Sequence, residues 1–196
     1  MIPYSPHVLL ALGLLNPQYG LLAEPTPPLS THKCGISLAE HAGLSPHDAE
    51  IVVGQIELHS VSQDEEFLRV LYALAYVESR FRTDRRSSAG AVGILQVTLD
   101  AAKHIHVLRR TVGLREVAPT LKRLSQVPIN VNYGSAYLWL ALEEADGDYL
   151  GALTMYNGGY RQLTNLRRGA IVTHETAQYV LRVMTLAFTC GVKSPG

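Results

Sequence analysis

The stretch YALAYVESRF, residues 72–81, places a carboxylate where an apolar stripe is due. At helical spacing Phe67, Leu71, Leu74 and Glu78 project from one face, so Glu78 points the way the core points. Desolvation disfavours the charged form of such a group and raises its pKa toward the range where a side chain can give and take a proton near neutral pH. The residue alone also fits a helix-end carboxylate paired with Arg80 or Arg82.

Working outward, a chain of 196 residues that is 47% hydrophobic and 17% charged can bury one domain and is too apolar to be disordered. Lysine plus arginine equals aspartate plus glutamate at 17 each, so the charge excess that draws proteins to nucleic acid or to an anionic membrane is missing. A neutral partner such as a glycan fits better. Cys34 and Cys190 make no zinc spacing. In an oxidising compartment they could pair, which the chain-entropy argument values at about 4 to 5 kcal/mol; two buried thiols are the other reading. His104 and His106 diverge on a helix and find no third ligand, so neither a metal nor another cofactor is expected.

At the N-terminus, Val8 to Leu15 is apolar, too short to span a bilayer and closed by Asn16-Pro17. No Lys or Arg precedes Lys33, which argues against an export signal, although Ala23 offers a cleavage position. The expectation is an apolar arm that docks on this chain or on partners in an assembly, followed by a proline-rich linker, Glu24 to Ser30.

Helix punctuation fills the remainder. Ser37 with Glu40 reads as a capping box, Ser45-Pro46 opens a helix toward His59, and Ser62 with Glu65 caps a third that reaches Glu78. Arg80 to Gly93 reads as a loop, and helix-like spacing returns from Ile94. Pro128 opens a long helix in which Val131, Ser135, Leu138 and Leu142 form a stripe and Gly134 permits close approach by a neighbour. Asp148 caps a helix that Gly158-Gly159 ends, and Thr173 to Phe188 forms the last. The pattern is all-α.

From Glu78 the chain reads ESRFRTDRRSSAGAVGILQVT, which resembles the ESxFxxxxxSxxGAxGLMQ pattern of the soluble lytic transglycosylase family. Asn130 to Leu140 resembles the family's N-[IV]-x-x-G-x-x-Y-L helix, Tyr156-Asn157 with Gly159 its A-Y-N-x-G motif, and HETAQYVLRV its closing E-T-x-x-Y-V. The likeness spans about Asp64 to Val183; Leu95, Met155 and Tyr160 stand where the family usually has Met, Ala and Pro.

The resemblance implies an α-helical lysozyme-like domain over residues 61–190, preceded by arm, linker and leading helices over 1–60. It also implies a groove for peptidoglycan glycan strands. By the family's reaction, Glu78 protonates the oxygen between N-acetylmuramic acid and N-acetylglucosamine, then as carboxylate takes the C6 hydroxyl proton while a 1,6-anhydro ring closes. Tyr156 is expected to hydrogen-bond Glu78, and Ser87, Gln96 and Asn157 to hold sugar groups. Tyr179 joins the substrate-binding candidates, although a tyrosine on the last helix also fits the core with its hydroxyl at the edge.

Most glycosidases need two carboxylates. Here Asp84 sits among arginines and Asp100 opens a helix, and both have structural uses. Goose-type lysozymes, which hydrolyse, carry an Asp where this chain has Thr98. A hydrolase and a catalytically silent component of a phage tail or secretion assembly remain the alternatives. The arm and the lack of a basic leader favour a virion protein that opens the cell wall, with the periplasm as the other location.

Overall fold

The computed structural model describes residues 29–190, in which the chain forms eight helices. These are α1 Leu29–His41, α2 Pro46–His59, α3 Glu65–Ser79, α4 Leu99–Thr111, the single turn α5 Leu121–Leu124, α6 Val127–Glu144, α7 Tyr149–Arg167 and α8 His174–Thr189. The apolar arm and most of the proline-rich linker lie outside the described residues. No helix among the described residues is long and apolar enough to cross a membrane.

The core forms around α3. Phe67, Leu68, Leu71, Tyr72 and Leu74 are all buried, so both faces of this helix are covered, by α8 on one side and by α1 on another. Each large side chain so buried contributes about 1.5 to 3 kcal/mol, more than any helix propensity in the segment. The N-cap of α3 is Asp64 rather than Ser62: its Oδ1 accepts the Phe67 N–H at 2.9 Å, while the Ser62 hydroxyl accepts the Asp64 N–H at 3.1 Å. A carboxylate is the stronger acceptor and complements the helix dipole.

Three other boundaries differ from the sequence reading. Helix α1 starts at Leu29, not at Ser37, because Thr31 is buried with its hydroxyl donating to Glu65 Oε1 at 2.8 Å, and Cys34, Leu38 and Ala39 belong to the core. Tertiary packing thus extends the helix back to the prolines. Residues 94–98 are not helical; they close a tight turn, and α4 begins only after its N-cap Thr98. Helix α7 breaks at Gly159 but resumes to Arg167. Gly159 has φ 73° and ψ 179°, a region open in practice to glycine alone.

Both leading helices share the core with α3, and the expected boundary near residue 60 falls on Ser60, the C-cap of α2. Cys34 on α1 and Cys190 at the end of α8 form a disulfide with the Cα atoms 5.3 Å apart.

Candidate active site

Helix α3 ends abruptly just after Glu78. Arg80 and Phe81 take left-handed backbone, φ 53° and 58°, and their N–H groups return to Tyr76 O and Ala75 O at 2.9 and 3.1 Å. Such backbone costs about 1 to 2 kcal/mol per non-glycine residue. Burial of the Phe81 side chain, 2% exposed, returns about as much. The turn therefore holds, and it directs the following loop back across the end of α3.

That loop is fixed by short hydrogen bonds. Ser87 and Ala91 pair, with Ser87 N–H donating to Ala91 O at 2.9 Å and the Ser87 hydroxyl accepting Ala91 N–H at 3.0 Å. Val92 and Val97 exchange backbone bonds of 3.1 and 3.0 Å, closing a turn in which Gln96 is left-handed at φ 47°. The Gln96 Nε2 donates to Gly93 O at 2.8 Å and to Arg85 O at 3.1 Å. Gln96, expected to hold a sugar group, thus has its amide donor engaged inside the loop, and the side-chain oxygen is the atom left to meet a ligand.

Hydroxyl groups join this loop to the helices. Ser79, beside Glu78 and buried, donates to Ile94 O at 2.8 Å, with Ala75 O at 3.1 Å. Tyr156 donates to Leu95 O at 2.9 Å, and its ring lies 5.5 Å from that of Tyr137. Behind the turn, Gly134 lets α6 approach: a Cβ there would lie 2.7 Å from Leu95 Cδ1.

The partner of Glu78 differs from expectation. The hydroxyl that donates to Glu78 Oε1, at 2.5 Å, belongs to Tyr179, which α8 brings across the face of α3, whereas the Tyr156 hydroxyl is taken by the Leu95 carbonyl. Tyr179 is core in its ring, being 9% exposed, but its hydroxyl faces the carboxylate. Burial pushes the Glu78 carboxyl up to about 7, and the Tyr179 hydrogen bond pulls the other way. Burial, and then the neighbouring Glu78 charge, raise the Tyr156 phenol. Burial comes first for Tyr179 too, with Glu78 next. Both tyrosines are therefore neutral donors at any working pH.

Asn157 is exposed on α7, two residues before the Gly159 break. Thr98 is a helix cap whose hydroxyl accepts the Ala101 N–H at 3.2 Å. Asp84 is exposed and pairs with Arg82 at 3.3 Å, and Asp100 is exposed in the first turn of α4. Arg167 is tied to Asp146 and to the Glu144 carbonyl. Among the described residues no group of three or more His, Cys, Asp or Glu side chains could hold a metal ion.

Two contributors escape a reading of the sequence. Ser79 is visible there only as a motif letter. Asn130 heads the motif helix and is fully buried, a polar side chain in an apolar segment, which is the signal that could have marked it.

A sequence profile described as the Transglycosylase SLT domain matches residues 60–173. The chain belongs to that family. Glu78, the 92–97 turn, Asn130 and Tyr156 all lie inside the matched segment, whereas Tyr179 and both cysteines lie outside it. Among solved structures, the chain is similar to an inactive glutamate-to-glutamine mutant of the lytic transglycosylase Slt from Pseudomonas aeruginosa, with a TM-score of 0.55 and 22% identity. That match covers 84% of this chain and 24% of the other, so the chain spans about a quarter of that protein's length. The likeness is one of fold. No curated protein sequence matches the chain.

Proposed function

We propose that the protein is a peptidoglycan lytic transglycosylase, cleaving the β-1,4 bond between N-acetylmuramic acid and N-acetylglucosamine with formation of 1,6-anhydromuramic acid. The observation that carries this reading is a half-buried carboxyl, Glu78, bonded by the Tyr179 hydroxyl and pushed up to about 7 by desolvation, with no second carboxylate among the described residues contributing. One group near neutrality can serve as acid and then as base.

In the first step Glu78 gives its proton to the glycosidic oxygen as the bond to C1 breaks. In the second, the C6 hydroxyl of the same muramic acid forms a bond to C1, and its proton passes to the Glu78 carboxylate. No water is consumed and the enzyme returns to its starting state. Tyr179 orients the carboxyl in both steps, while Ser87, the Gln96 oxygen and Asn157 would meet sugar groups along the groove.

A hydrolase is disfavoured because Thr98 is occupied as a helix cap and offers no carboxylate to activate water. Digestion of purified murein decides between them. Muropeptides ending in 1,6-anhydromuramic acid, one water lighter than reducing-end products, support the proposal, and reducing-end products alone overturn it.

The place of action proposed is the cell wall, reached by a phage particle that opens it locally, with the periplasm as the alternative. Pairing of Cys34 with Cys190 supports a surrounding outside the reducing cytosol and favours neither of these two. Mass spectrometry of purified particles and of host periplasm separates them.

A further inference from the structure

The turn over residues 92–97 presents the two backbone carbonyls, Ile94 O and Leu95 O, that receive Ser79 and Tyr156. One side chain holds that turn from behind. Asn130, in the first turn of α6 and 0% exposed, accepts the Leu95 N–H at Oδ1 and donates through Nδ2 to Val92 O and to Leu124 O, all three at 2.8 Å. Both protons of the amide are thereby used, and no other residue type supplies one acceptor and two donors in so short a plane. The opposite wall is cut to fit: a Cβ on Gly93 would lie 2.4 Å from Asn130 Nδ2.

We propose that Asn130 is a positioning residue of the active site, fixing the 92–97 turn so that Tyr156 and Ser79 are held beside Glu78. This rests on the transglycosylase reading. Asn130 touches neither the substrate nor Glu78; it acts through Leu95. The Leu95 N–H and C=O lie on either side of one residue, so Asn130 on the N–H and Tyr156 on the C=O set its orientation together. Releasing the turn frees the Tyr156 hydroxyl, loosens Ser79 and admits water to the carboxyl.

The test uses Asn130→Asp, which keeps shape and the Oδ1 acceptor but turns an oxygen toward the Val92 and Leu124 carbonyls. With folding verified by circular dichroism, kcat on murein should fall about 10-fold or more, while KM changes by less than about 3-fold. In a Tyr156→Phe background the same substitution should cost less than about 3-fold, because the link it disturbs is already gone. The Glu78 side-chain resonance, followed by NMR, should titrate below its wild-type midpoint as water enters. Additive losses with an unmoved midpoint would reduce Asn130 to a structural residue and overturn the proposal.

Gly93→Ala, which presses on Nδ2 from the other side, should reproduce the pattern. Should either variant not fold, amide exchange in the wild-type protein still decides. The Leu95 N–H should exchange only through global unfolding, and exchange through local opening would refute the assignment. A wild-type protein that leaves murein uncut removes the transglycosylase reading, while the Leu95 exchange and the Glu78 titration still judge Asn130.

Discussion

The Tyr179 hydroxyl donates to Glu78 Oε1 at 2.5 Å, linking the last helix to the helix that carries the acid. A bond to the carboxylate favours the ionised form and so lowers a pKa that burial has raised. Removing the hydroxyl by Tyr179→Phe should therefore move the Glu78 midpoint above about 7. The alkaline limb of the pH profile should shift upward, and turnover should drop about 10- to 100-fold for loss of a hydrogen bond to a charged group. A profile that stays in place while turnover holds would show that Tyr179 does not orient the acid.

The wild-type profile itself follows from the same group. Glu78 must start protonated, so kcat/KM on murein should fall tenfold per pH unit above about 7 and lose that limb in any variant without the carboxyl. Measurement of initial rates between pH 5 and pH 9, at roughly constant ionic strength, checks it.

Glu78→Gln should cut murein cleavage by at least about 100-fold. Stability should hold or rise. The folded pKa of about 7 exceeds the 4.5 of a freely solvated glutamate, so the group's contribution is fully present below 4.5 and is lost as pH rises toward 7. Thermal melts of both proteins across that window should show the wild type losing ground to Glu78→Gln by up to about 3 kcal/mol, since each tenfold change in a protonation equilibrium is worth about 1.4 kcal/mol. A parallel pair of curves would mean the carboxyl is not desolvated.

Gly159→Ala tests the break in α7. The φ of 73° with ψ of 179° is open to glycine, so alanine should cost about 1 to 3 kcal/mol by denaturant titration, even though nothing stands within 4 Å of the new methyl. An unchanged midpoint would mean the helix straightens freely there.

The helices were legible wherever an apolar period of 3.6 and a capping residue coincide, as at Ser45-Pro46, Asp148 and Thr173. The start of α1 was not, because its case rests on Thr31 meeting Glu65 and Cys34 meeting Cys190, contacts distant in sequence. Glu78 was legible from the stripe it interrupts. Its partner was not: Tyr156 and Tyr179 are the same residue type on neighbouring helices, and only the packing angle of α8 on α3 decides which hydroxyl reaches the carboxylate. Gln96 and Asn130 show the same limit, since an amide that binds a ligand and one that ties a loop are written with the same letters.

Cys34 and Cys190 bracket the whole matched segment, so every residue of the site lies inside one covalent ring. A protease that cuts one peptide bond in the mostly exposed connection 112–120 produces two chains but still a single molecule. Helix α3 with its acid stays joined to α8 with its tyrosine, and each fragment retains its neighbour at an effective concentration no dilution can lower. Such a nicked protein runs as one band without thiol and as two with it. In surroundings rich in proteases, a single backbone cut there need not end its working life.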